Sequence, residues 1–251
     1  RYIAFSSDQT GFWDLYVLDV VTGATSQLTG DPFTEASPMW SPDSSTLYFE
    51  SDYLGRWQIY SLFIATRAVE RISDGPGDSL NPVVSEDGRR IAFRSNREGR
   101  MALYLMGVNG SNVRRISEFA DNLFNQTFAP DDSLIAYNSD VTGLPQVYVY
   151  EPATSETRRV TGTEGSLGTL DTVIARQPTW PCETSEQVVF ESESVEDGNP
   201  DLFVAPSRPM NARAIDVSSE AAQLTNSDAN DVFPQGKTGE YDTVGRALAG
   251  R

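Results

Sequence analysis

One pattern recurs along this 251-residue chain at an interval of 44 residues, and that period constrains the fold more than any single residue does. Phe5, Phe49, Phe93 and Tyr137 are spaced by 44, and Phe190 follows after 53. Tyr16, Tyr60, Tyr104 and Tyr148 keep the same interval, with Phe203 as the fifth member. Thr29, Ser73, Ser117 and Thr161 close successive copies in QLT, RIS, RIS and RVT, and Thr225 closes the last. A residue inside such a copy is therefore read first for what its position does in every copy, and only then for chemistry of its own.

Each copy predicts strands and no helix. IAF or LYF is a short β-branched and aromatic run, followed by a turn carrying Gly11, Gly55, Gly99, Gly143 or Gly198. DLYVLD, QIYSLF, ALYLMG, QVYVYE and DLFVAP then alternate as half-buried strands do. With the run through Trp40 and the run ending in LT or IS, each copy supplies four strands separated by short turns, the pattern of a propeller blade.

The expected fold is all-β: a single five-bladed β-propeller of four-stranded antiparallel blades over residues 1–251. Its repeats fall at about 1–29, 38–73, 82–117, 126–161 and 178–225. The first copy lacks the strand equivalent to SPMWS, and a surplus NDVFPQ at 230–235 follows the last QLT. That C-terminal strand is expected to complete the first blade and close the ring, leaving no unpaired edge. Trp40, Val84, Phe128, Trp180 and Phe233 share one position and are expected to pack blade against blade. In WSPDSS, Pro42, Asp43 and Ser44 suit a tight turn better than a chemical site.

WSPDSSTLYFESDYLGRWQIYSL and SEDGRRIAFRSNREG resemble the WD40-like PD40 repeat of TolB-type β-propellers, whose pattern runs W-S-P-D-G, I-A-F, S-x-R-x-G, I-Y. The resemblance covers nearly the whole chain. It implies a periplasmic adaptor that contacts lipoproteins and envelope machinery.

Composition removes several function classes. There is no histidine, so Ser-His-Asp and Cys-His mechanisms, the commonest general base and most zinc sites are absent. A net charge of −17 repels phosphate backbones and anionic lipid, which argues against a nucleic-acid partner. A lone cysteine, Cys182, forms no internal disulfide. No apolar run approaches the length of a membrane-spanning helix. The chain opens on Arg1, so a mature form is expected, with its targeting segment outside this sequence.

Local motifs add little. GKT at 236–238 has Asp231 where a phosphate-binding loop needs glycine. The acid-rich turns at 74–78 and 196–201 lack EF-hand spacing, so no metal or cofactor is expected. Glycosidase chemistry needs two facing carboxyls. The inner strands offer Asp231, with Glu35 just outside them. No catalytic residue is expected.

Two sets of residues remain as candidate sites. Ser37, Asn81, Asn125, Gln177 and Asn230 hold one position at the start of each inner strand and form an expected axial polar ring. The ring either satisfies backbone groups or binds a small polar ligand. The second set lies on the face that collects the loops after the second and fourth strands, where Phe12, Trp13, Phe33, Arg56, Trp57, Arg100, Met101 and Phe124 gather. Exposed Trp, Met and Arg in one patch have the composition of a protein-binding hot spot. Insertions at 162–177 and 206–222 interrupt the repeat and are further places for a partner. The expected function is a non-catalytic, periplasmic or extracellular propeller that docks on another protein, such as a membrane-embedded or lipoprotein complex. The alternatives are a carbohydrate or small-ligand binder and the substrate-gating propeller of a prolyl-oligopeptidase-type peptidase.

Overall fold

The structure is a computed structural model that describes residues 1–161, 173–181, 184–194, 201–207 and 222–223. Strand 230–235, Asn230, Phe233, Cys182 and most of both insertions lie outside the described residues. The chain divides into two compact units, Arg1–Leu123 and Phe124–Arg251.

All regular structure among the described residues is β, in five antiparallel sheets. In the first unit, β1 (Tyr2–Ser7), β2 (Asp14–Asp19) and β3 (Thr25–Gln27) form a three-stranded sheet. β4 (Glu35–Trp40), β5 (Thr46–Ser51), β6 (Gln58–Phe63) and β7 (Ala68–Arg71) form a four-stranded one. So do β8 (Ser79–Val84), β9 (Arg90–Ser95), β10 (Ala102–Gly107) and β11 (Arg114–Arg115).

In the second unit, the chain from β12 (Leu123–Phe128) pairs in order with β13 (Ile135–Ser139), β14 (Gln146–Glu151) and β15 (Glu156–Arg159). β16 (Val173–Thr179), β17 (Gln187–Ser194), β18 (Asp201–Pro206) and β19 (Ala222–Gln223) do the same. The three-stranded first sheet matches the reading that the first copy lacks its opening strand.

The landmarks of the repeat turn out to be packing positions. Phe5, Phe49, Phe93, Tyr137 and Phe190 sit directly opposite Tyr16, Tyr60, Tyr104, Tyr148 and Phe203 in neighbouring strands. The rings stack with centroids 5.7, 5.8, 5.8, 5.7 and 6.0 Å apart. Such a cross-strand pair joins large apolar area to a defined offset geometry, so it fixes strand register. Around the pairs, Leu15, Leu47, Phe49, Tyr60 and Leu62 form one core cluster, with Trp40 packed against it. In the second unit Trp180 packs in the same way against Val188, Phe190 and Phe203.

The third landmark is a buried hydroxyl. Thr29, Ser73, Ser117 and Thr161 accept the backbone N–H of Leu15, Ile59, Leu103 and Val147 at 2.8–2.9 Å. Ser73 and Thr161 also donate to Gln58 Oε1 and Gln146 Oε1, at 2.8 and 2.7 Å. In these four sheets the hydroxyl thus ties the last segment to the neighbouring strand, β2, β6, β10 or β14.

WSPDSS is a turn. The Ser44 N–H donates to Ser41 O at 2.9 Å, Ser41 Oγ donates to Asp43 Oδ1 at 2.6 Å, and the Ser45 N–H donates to the same oxygen at 3.0 Å. Ser85 and Asp87 repeat the arrangement, with Gly88 (φ +69°) where Ser44 (φ +59°) stands. The glycine of the consensus is explained by that left-handed backbone.

Removing the Ser73 hydroxyl leaves the Ile59 N–H and Gln58 Oε1 buried without a partner. Ser73→Ala is expected to cost about 1–3 kcal/mol in urea unfolding. Ser73→Thr, the residue found at 29 and 161, is expected to retain most of that stability. An alanine variant within about 0.5 kcal/mol of the parent would contradict this role.

Candidate functional site

Three features carry the polar and exposed chemistry of the described residues. The first is the row read from the sequence as an axial ring. Ser37, Asn81, Asn125 and Gln177 all adopt left-handed backbone, with φ of +53°, +50°, +55° and +49°. Three of them sit where strand register slips, between Ala36 and Met39, Leu80 and Val83, and Arg176 and Thr179. They are bulge residues, and asparagine tolerates that conformation better than most.

The polar groups of Ser37 and Asn81 and the N–H of Gln177 are used internally. The Asn81 N–H donates to Glu50 Oε2 across the sheet boundary, and Asn81 Nδ2 donates to Ser37 Oγ at 3.1 Å. Ser37 Oγ in turn donates to Glu50 Oε1 at 2.9 Å. In the second unit the Gln177 N–H donates to Asn138 Oδ1 at 2.8 Å, and Asn138 Nδ2 donates to Ala175 O at 2.7 Å.

Glu50, Arg94 and Asn138 form a second polar row that the sequence reading missed, although its signal was present. Each follows a core aromatic by one residue, at the same interval of 44. Arg94 donates through Nη2 to Asn81 Oδ1 and through Nη1 to Leu123 O at 2.7 Å. Burial holds its guanidinium below its usual range, against the opposing pull of Glu50.

The second feature is the loop face of the first unit. Phe12 and Trp13 are 50% and 49% exposed on the β1–β2 hairpin, and Tyr53 and Leu54 are 51% and 53% exposed on the β5–β6 hairpin. Half-buried Phe33 packs on the second of them, its ring 4.6 Å from Tyr53 edge to face. The hairpins present these side chains because their glycines, Gly11 and Gly55, take φ of +99° and +75° and close the turns. Beneath them, the backbone is committed: Trp13 O accepts Glu35 N–H and Trp57 O accepts Ser79 N–H, both at 2.8 Å.

The other predicted face residues distribute unevenly. Trp57 and Met101 are half-buried, and Arg56 is exposed. Arg100 is exposed and paired with Asp121 at 3.4 Å. Phe124 is half-buried and belongs to the second unit. Tyr53 was missed; an aromatic in a turn where the other copies have Gln9, Arg97 and Val141 was its sequence signal.

The third feature lies under Trp13. Glu35, expected just outside its strand, is the first residue of β4 and only 2% exposed, as is Asp14. Thr29 Oγ1 donates to Glu35 Oε2 at 2.9 Å. Asp14 Oδ2 accepts from Thr10 Oγ1 at 2.5 Å and from Gln27 Nε2 at 3.0 Å, while its Oδ1 is buried without a hydrogen-bond partner among the described residues. Burial pushes the Glu35 carboxyl up to about 8, with Asp31 and Asp14 adding to the shift and the Thr29 hydrogen bond opposing it. Glu35 therefore carries a proton at neutral pH. Among the described residues, no three acids converge closely enough to hold a metal ion.

This predicts a pH dependence whose sign follows from linkage. Between the ordinary value of 4.5 and about 8, the folded chain binds one more proton at Glu35 than the unfolded chain does. Glu35's contribution is complete below about pH 4.5, declines as pH rises, and is lost above about pH 8. The slope is at most about 1.4 kcal/mol per pH unit. Urea unfolding across this range is expected to show that decline in the parent and a flatter profile in Glu35→Gln. Parallel profiles would contradict it.

Comparison with known proteins supports the sheet type. Residues 62–173 match the PD40 family, described as the TolB beta propeller domain. No curated protein matches the sequence. The described fold is similar to TolB from Acinetobacter baumannii, with a TM-score of 0.64 at 19% identity over 92% of this chain and 54% of that one. It is also similar to a protein assigned as TolB from Agrobacterium tumefaciens, at 0.62 and 18% over 90% of this chain and 71% of that one. A puromycin-hydrolyzing peptidase from Mycobacterium tuberculosis gives 0.58 and 14% over 81% of this chain and 36% of that one. The chain thus spans about half the length of the Acinetobacter TolB. Residues 62–173 carry TolB-type PD40 repeats, and the described sheets have the fold of TolB propeller blades.

Proposed function

We propose that this chain is a non-catalytic, extracytoplasmic propeller that docks on another protein through the loop face around Trp13. One observation carries the reading: Phe12, Trp13, Tyr53 and Leu54 stand about half exposed on two hairpins, with Phe33 packed on Tyr53, on backbone already fixed by hydrogen bonds. Large aromatics held on a rigid scaffold lose little entropy on binding and dominate interface energetics.

The non-catalytic part rests on chemistry. There is no histidine, and the acids Asp14 and Glu35 are buried away from any substrate. The axial-ligand reading is weaker, because Asn81 and Ser37 spend their polar groups on one another, Glu50 and Arg94. The similarity to a peptidase supports a second reading, a propeller that gates a hydrolase domain. As part of the proposal, five blades form a ring that strand 230–235 closes beside β1, the free edge of the three-stranded sheet. The TolB likeness supports the extracytoplasmic location.

The test is to co-purify a partner with the tagged chain and measure its affinity for Trp13→Ala. The variant is expected to keep its thermal midpoint and to bind at least about tenfold more weakly, as truncation of an aromatic anchor does. A variant that loses stability and keeps full affinity would make Trp13 a packing residue and move the docking site elsewhere.

A further inference from the structure

The aromatic patch is set in an acidic surround, and the charges are unevenly placed. The loops 8–13, 28–34, 52–57 and 72–78 carry Asp8, Asp31, Asp52, Asp74 and Asp78 with one base, Arg56. Asp8, Asp31 and Asp74 are exposed. Asp31 and Asp52 accept the N–H groups of Phe33 and Thr34 at 3.2 and 2.9 Å, which fixes two carboxylates beside the patch. Directly below, Asp14 keeps one carboxylate oxygen buried and unpartnered.

The bases of the next loop are already engaged. Arg97 lies over the Phe93 and Tyr104 rings at 5.1 and 5.0 Å, and Arg100 pairs with Asp121. The first two sheets therefore present apolar area ringed by an excess of negative charge, with Asp74 partly offset by the nearby Arg97. Such an arrangement disfavours an acidic partner and steers a basic one.

We infer that the occupant of this patch is a cationic segment of a partner protein, with an apolar anchor seated among Phe12, Trp13, Phe33, Tyr53 and Leu54 and flanking arginines or lysines over Asp8, Asp31 and Asp74. The inference rests on the docking reading above and adds the chemistry of the partner. The anchor supplies the contact area. The flanking cations supply selectivity and a salt-sensitive rate of association.

Three labelled peptides of equal length test it, sharing one set of leucine anchors with arginine, glutamine or glutamate at the remaining positions. Fluorescence anisotropy is read with the full chain, with Trp13→Ala, and with Asp8→Asn/Asp74→Asn, whose acids lie on exposed loops. The arginine peptide is expected to bind at least about tenfold tighter than the glutamine peptide, and the glutamate peptide weakest. Trp13→Ala is expected to weaken the arginine and glutamine peptides alike, and the double variant to narrow the gap between them.

Arginine and glutamine peptides of equal affinity, both weakened by Trp13→Ala, would overturn the cationic assignment and leave the docking face standing. Arginine-peptide binding indifferent to Trp13→Ala would mean attraction to the −17 surface at large, and would overturn the assignment to this patch. Absence of binding by all three peptides would overturn both the assignment and the face.

Discussion

The stacked aromatic pair in the middle of each sheet is the interaction on which the rest depends. It joins two neighbouring strands at directly opposed positions, and it recurs in all five sheets with centroids 5.7–6.0 Å apart. A slip of one residue in either strand would turn one ring to the opposite face of the sheet. With register fixed, the hydroxyl of Thr29, Ser73, Ser117 or Thr161 meets an N–H of β2, β6, β10 or β14.

Sheets of one unit are coupled by a different device. A left-handed bulge residue turns its N–H toward the preceding sheet, where Glu50 or Asn138 accepts it. Unpaired, that buried donor would cost about 1–3 kcal/mol. The side chain at the bulge is selected for tolerance of positive φ, which explains why asparagine recurs there. The position is polar for backbone reasons, and a ligand is not needed to account for it.

Much of this was legible in the sequence because the period of 44 marks positions that do the same job in every copy. The strands, the missing first strand, the turn at WSPDSS and the inward role of Trp40 and Trp180 all follow from it. What the period hides is the exception. Glu35 stands where the other copies have Ser79 and Leu123, and its burial beside Asp14 depends on loops meeting in space. Tyr53 escaped for the same reason: it departs from the repeat in a turn, where periodic reasoning has no expectation. Arg94 was legible as part of a row, yet its bonds to Asn81 and Leu123 O required coordinates.

Glu35 and Tyr53 both lie at the hairpin end of the first two sheets, the end that carries Trp13. The proposed docking requires that this end, and not the opposite one, meets the partner. The direct measurement is site-specific photo-crosslinking in cells, with a benzophenone side chain placed at Phe12, Leu54 or Phe63. Phe63, at the other end of β6, is 43% exposed and serves as the comparison. One shared protein adduct is expected from positions 12 and 54 and none from 63. An adduct from 63, with none from 12 or 54, would contradict it.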